Sequence, residues 1–179
     1  QQQNETPKTH YALIDHITTG HKRQQVICHR GMAKSTIVGE YFPLYIASLG
    51  KYPNFGKVEN LIIFSATIDQ AQEHLANVLD FYEKSPKLQT FLKLHTKGKK
   101  KPKVDEIWFT NMNGDEIVMQ AIGAGQSMRG TKKGDVRPQL MIYDDIMTDE
   151  KQESIGNNYI GGKFMQIYFM KLLDNSQTV

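Results

Sequence analysis

Read for its apolar and polar positions alone, the chain opens on nine polar residues, QQQNETPKT, which predict a frayed start. QVIC at 25–28 predicts a short strand. STIVGEYFPLYIASLG (35–50) spaces its apolar residues as a helix does, with Pro43 set to kink it and Gly50 suited to end it. LIIFSAT (61–67) is continuously apolar, the pattern of a strand covered on both faces. The amphipathic run that follows predicts a helix over 68–84. EIWFTN and EIVMQAI flank Asn113-Gly114; both turn residues tolerate positive φ, so a β-hairpin is predicted near 106–121. QLMIYDDI (139–146) predicts another buried strand, ending in two carboxylates, and a helical tail is expected over 160–173. Buried strands mixed with helices predict an α/β domain, a mostly parallel central sheet with helices on both faces.

Composition narrows the class only a little. A length of 179 residues allows one domain with a sizeable core. The longest apolar runs, LIIF and LMIY, are too short to span a bilayer. No charged-then-apolar leader opens the sequence, so secretion is not expected. Cys28 is the single cysteine, so no internal disulfide forms, and a reducing, intracellular setting fits best. The histidines show no metal-ligand spacing. A net charge of +3 is too mild to indicate nucleic acid, but its distribution is uneven. KGKKKPK (97–103) and MRGTKKGDVR (128–137) concentrate cations. Such clusters meet phosphates in some proteins and form plain solvated loops in others.

The chemistry begins at CHRGMAKST, residues 28–36. A P-loop wraps phosphates in backbone N–H groups, sets a lysine on the β/γ-phosphates and a hydroxyl on Mg²⁺. Lys34 and Ser35 supply those two side chains between a predicted strand and a predicted helix. The usual glycines are missing, with Cys28 and Ala33 in their places, but Ala33 is small and Gly31 can supply a sharp turn. The phosphate cradle is therefore assigned to His29, Arg30, Gly31, Met32, Ala33, Lys34, Ser35 and Thr36. A second constellation strengthens the first: LMIYDD puts Asp144 and Asp145 at the carboxyl end of a buried strand, where open α/β sheets place ligands and where such ATPases hold their metal. The bland alternative is that these acids cap the next helix.

With both motifs in view, the chain resembles the ATPase domain of the tailed-bacteriophage terminase large subunit, the motor that packages viral DNA. The resemblance rests on HRGMAKST, FSATIDQAQ (64–72), GAGQSMRG (123–130) and RPQLMIYDDI (137–146), in this order and spacing, and covers about residues 20–179. It implies a P-loop NTPase fold of the additional-strand type over 21–179, preceded by a polar, partly disordered segment over 1–20. It implies ATP and Mg²⁺ as cofactors and double-stranded DNA as the translocated polymer. It also implies a homo-oligomeric ring, a portal protein and a small terminase subunit as partners, no membrane, and work in the host cytoplasm on a procapsid. On this resemblance Lys34 contacts the β/γ-phosphates, Ser35 and Asp144 hold Mg²⁺, and Arg30 senses or stabilises the γ-phosphate. Asp145 stands where the family often has the glutamate that orients the attacking water, one methylene shorter; Glu150 is the alternative. The sequence ends about where the family's coupling motif would begin, before any nuclease domain, so no nuclease activity is expected of these residues.

Other residues carry two readings each. Arg129 and Arg137 are candidates for an arginine finger or a DNA contact, and equally for surface ion pairs. Gln24 and Gln25 stand near where related ATPases read adenine, though surface polarity explains either. Ser65 and Thr67 end a strand and either approach the nucleotide or cap the next helix. Cys28, Trp108 and the methionines read as core. Two other functions remain open: a helicase-like, nucleic-acid-dependent ATPase, since the SAT motif occurs there too, and a nucleotide-binding assembly module without turnover.

Overall fold

A computed structural model of the chain describes residues 5–21, 23–28, 31–124, 126, 133, 136–144 and the backbone of 163–169. Helix α1 (Lys8–Ile17) leads into strand β1 (Arg23–Cys28). A continuous helical run follows: α2 (Lys34–Thr36), a π-helical turn (Ile37–Tyr41) and α3 (Phe42–Leu49). The π turn lies immediately before Pro43, whose ring would otherwise clash with the carbonyl of Gly39 and which offers no N–H to it. Gly50 ends the run in a left-handed conformation, φ 64°. A small ribbon, β2 (Lys51–Tyr52) and β3 (Gly56–Lys57), precedes β4 (Asn60–Ser65) and the long helix α4 (Ile68–Lys84). Then come α5 (Pro86–Phe91), β5 (Leu92–Leu94), β6 (Glu106–Asn111), β7 (Glu116–Gly123), β8 (Leu140–Asp144) and β9 (Lys163–Phe169).

The main sheet has seven strands in the order β1-β9-β8-β4-β7-β6-β5. Only β8–β4 and β4–β7 pair in parallel; the other four neighbours are antiparallel. The sheet is thus mixed, a correction to the mostly parallel expectation. Strand directions nevertheless keep the functional consequence of that expectation. Because β9 opposes both β1 and β8, those two run the same way, as do β4 and β7. The carboxyl ends of β1, β4, β7 and β8 therefore share one edge.

Other expectations change as well. The segment read as a helical tail contains β9, inserted between β1 and β8. The segment read as polar and partly disordered contains α1, whose Leu13 and Ile17 are buried in the core. In the hairpin β6–β7 only Gly114 takes a positive φ, 83°, so the connection is not the two-residue turn that Asn113-Gly114 predicts.

Described helices serve one face of the sheet. The larger core joins Ile17, Phe42, Ile46, Ala71, Leu75 and Val78 from the helices to Val26, Leu61, Ile63, Met119, Leu140 and Ile142 from the strands. The opposite face has a small cluster, Ile62, Ile122 and Met141, with Phe64 and Tyr143 against it. No described helix contributes to it, so helices on both faces are not found among the described residues. Trp108 is half-buried and Met112 is 70% exposed, against their reading as core. No helix among the described residues is long and apolar enough to cross a membrane.

Gly123 explains how closely α4 enters the sheet edge. A Cβ there would lie 2.4 Å from the backbone nitrogen of Ile68 and 2.8 Å from the carbonyl carbon of Thr67. Both are backbone atoms of the first turn of α4 and its cap, which cannot swing aside. Gly123→Ala is expected to destabilise the fold by about 1–3 kcal/mol as α4 is pushed outward, read as a lower urea midpoint.

Candidate phosphate and metal site

The loop after β1 turns through two left-handed residues, Gly31 (φ 87°) and Ala33 (φ 51°). Glycine commonly fills such positions, and alanine bears a cost of about 1–2 kcal/mol there. The strain falls on the residue immediately before Lys34, at the entry to α2. Lys34 is buried at 7% exposure. Its ammonium stands 3.2 Å from Asp144 Oδ1, and the aspartate side chain is equally buried. Residues 110 positions apart thus meet, because β1 and β8 end on the same edge with only β9 between them.

Asp144 has two further partners. His74 Nε2 lies 3.1 Å from Oδ2, and the Ser35 side chain also hydrogen-bonds the carboxylate. Burial works against ionisation of Asp144. The His74 hydrogen bond, the Lys34 charge and the Ser35 hydrogen bond outweigh it and hold its pKa down at about 2. Burial likewise disfavours charge on His74, but its hydrogen bond to Asp144 and the nearby Glu40 raise its pKa to about 9. His74 Nδ1 is 3.7 Å from Glu40 Oε1, within ion-pair reach but too long for a hydrogen bond. At neutral pH the cluster therefore pairs two cations, Lys34 and His74, with two carboxylates, Asp144 and Glu40. Asn77 donates to Glu40 at 3.0 Å and keeps that acid in place.

Helix α4 carries His74 and Asn77 because its start is firmly set. Thr67 accepts from the Gln70 backbone N–H at 3.3 Å, and Gln70 Oε1 accepts from the Thr67 N–H at 3.3 Å, a reciprocal capping box. Thr67 is thus a helix cap. Ser65 differs: it ends β4 buried at 1% exposure, and its hydroxyl has no hydrogen-bond partner among the described residues. A cavity of about 240 Å³ opens here, lined by Ser35, Glu40, Ser65, Gln70, His74 and Asp144.

Lys34, Ser35 and Asp144 therefore come together as the sequence predicts, with Gly31 and Ala33 shaping the loop before them; Met32 and Thr36 are half-buried beside them. His29, Arg30, Arg129, Asp145 and Glu150 lie outside the described residues. Arg137 is exposed at the amino end of β8, the opposite edge from Asp144. Gln24 and Gln25 lie within β1. Gln24 is buried and donates to Tyr52 Oη at 3.0 Å, tying β1 to β2, while Gln25 is exposed. Cys28 is partly buried and packs against the core.

Sequence reasoning missed His74 and Glu40. The signal for His74 was its place in the buried stripe of α4, three residues after Ala71 and four before Val78; a histidine in such a stripe needs a polar partner.

The donor set fits a magnesium nucleotide by its own chemistry. Mg²⁺ takes one or two carboxylates, with waters and substrate phosphates completing its shell. Asp144 is an ionised carboxylate beside the Ser35 hydroxyl, and Ser65 offers an orphaned hydroxyl in the same cavity. Comparison with protein-family models, curated proteins and solved structures returned no significant match.

Proposed function

We propose that this chain is a P-loop ATPase of the additional-strand type, the motor domain of a terminase large subunit that drives double-stranded DNA into a procapsid. The observation that carries the reading is the buried Lys34–Asp144 pair at 3.2 Å, which joins the phosphate-loop lysine to the acid ending β8. The position of β9 between those two strands supports the additional-strand class, though its direction opposes both neighbours.

When bound, Mg-ATP would supply the phosphoryl group and the Lewis acid. The residues of this chain do the rest. Lys34 is poised to exchange Asp144 for a β/γ-phosphate, because His74 and Ser35 stay on the carboxylate and keep it from being stranded in a buried site. Ser35 and Asp144 would hold the metal, and His74 orients the aspartate through its Oδ2. On this reading Arg30 stabilises charge on the γ-phosphate and Asp145 orients water. A homo-oligomeric ring, docked through a portal protein and served by a small terminase subunit in the host cytoplasm, belongs to the same proposal.

The test is phosphate release from ATP with Mg²⁺, with and without duplex DNA. Turnover that duplex DNA stimulates, without strand separation, supports the motor. Strand separation points to the helicase-like alternative, and ATP binding without turnover to an assembly module.

A further inference from the structure

The two lysine-rich segments of the sequence meet in the fold. Lys103 of the first and Lys133 of the second both pair with Glu106 at the start of β6. Glu106 is buried at 6% exposure and also accepts from Trp108 Nε1 at 2.9 Å. Lys100 pairs with Glu116 on β7 and sits 4.9 Å from the centre of the Trp108 ring. Backbone bonds close the loop at both ends: the His95 N–H donates to the Trp108 carbonyl at 3.0 Å, and the Lys103 N–H to the Glu106 carbonyl at 2.8 Å. Three lysines are thus consumed in anchoring the loop against the helix-free face of the sheet.

The remaining lysines of the loop, Lys97, Lys99 and Lys101, are all exposed. No acid occurs between Lys93 and Val104; Asp105 is the first. The short turn Gly98–Lys100 is held by the carboxylates of Glu106 and Glu116 and the Trp108 indole, which fixes where Lys97, Lys99 and Lys101 stand; among the described residues none of the three has an ion-pair partner.

We propose that Lys97, Lys99 and Lys101 form a contact for the phosphate backbone of duplex DNA, set by the Glu106–Trp108–Glu116 anchor. This rests on the motor reading above and names a surface for the polymer apart from the nucleotide site. The chemistry is a row of ammonium groups with no ion-pair partner among the described residues and without base-reading side chains, so the contact is independent of sequence.

The experiment is fluorescence anisotropy with a labelled duplex across a salt series, comparing the parent, the triple variant Lys97→Ala/Lys99→Ala/Lys101→Ala, and a charge-matched control, Lys8→Ala/Lys51→Ala/Lys84→Ala. The loop variant should bind on the order of tenfold more weakly or worse, with a log–log salt slope shallower by about 3, roughly one per lost phosphate contact. The control should keep the parent slope. Equal losses in both variants, an unchanged slope in the loop variant, or a parent that binds anionic vesicles but not duplex would overturn the proposal. Binding of a fluorescent ATP analogue, measured on the same proteins, separates the two readings. A loop variant that binds ATP normally but DNA poorly supports this surface, and a parent that binds DNA but not ATP leaves the surface standing while removing the nucleotide site.

Discussion

Lys34→Met should weaken Mg-ATP binding by about 10- to 100-fold and leave the chain folded. Loss of a hydrogen bond to a charged group costs about 1.5–3 kcal/mol, which sets that range. Turnover should fall further, by about 10²–10³, if the ammonium also meets charge that grows during phosphoryl transfer. The folded state survives for a structural reason. Stripping a partner from a buried ion costs about 3–5 kcal/mol when the remaining charge is left alone. Here Asp144 keeps both His74 and Ser35, and methionine fills most of the space of the lysine stem, so the cost should lie below that range. Titration with a fluorescent ATP analogue and a urea midpoint measure the two effects separately. A folded variant with unchanged affinity would show that the loop after β1 is not a phosphate loop.

Asp144→Ala should have the largest effect on stability, about 3–5 kcal/mol, because it strands the buried Lys34 ammonium and leaves His74 with Glu40 alone. Asp144→Asn keeps the shape and some hydrogen bonding and should cost less, but it removes the charge that supports protonated His74. The pH dependence follows from the two shifted groups. His74 is raised from 6.5 to about 9, so its contribution is complete below pH 6.5 and is lost as pH rises through about 9. Asp144 is lowered from 3.8 to about 2, so its contribution is complete above pH 3.8 and is lost as pH falls through about 2. The cluster therefore stabilises the parent most between pH 3.8 and 6.5. In Asp144→Asn the alkaline decline should flatten, and the His74 ring proton resonances should titrate closer to the ordinary histidine value. An unchanged alkaline limb in that variant would show that His74 does not rely on Asp144.

Several elements were legible because their causes are local. The continuous apolar run of β4, the capping box Thr67–Gln70 and the apolar spacing of α4 all act within a few residues. So do Gly50 as a helix stop and Gly114 in the hairpin. The lysine, the hydroxyl and the acid of the candidate site were legible too, because the proposed phosphate and metal chemistry would demand particular side chains at particular points on strand ends.

Tertiary structure decided the rest. The segment Lys163–Phe169 is a strand because β1 and β8 each present an unpaired backbone edge, and β9 satisfies both. The run KFMQIYF carries strand propensity of its own, but nothing local encodes the vacancy between β1 and β8 that it fills. Helix α1 depends on a core that covers Leu13 and Ile17. His74 is written plainly in α4, but its protonation depends on Asp144, 70 residues away. The left-handed turn at Ala33 is likewise a conformation that alanine does not choose for itself; it stands immediately before Lys34, which the fold sets against Asp144. Residue order alone supplied Lys34, Ser35 and Asp144 as candidate ligands of a phosphate and a metal. Only the fold decided which of them would be charged, buried and within reach of one another, because burial and charge pairing arise between segments that local pattern cannot join.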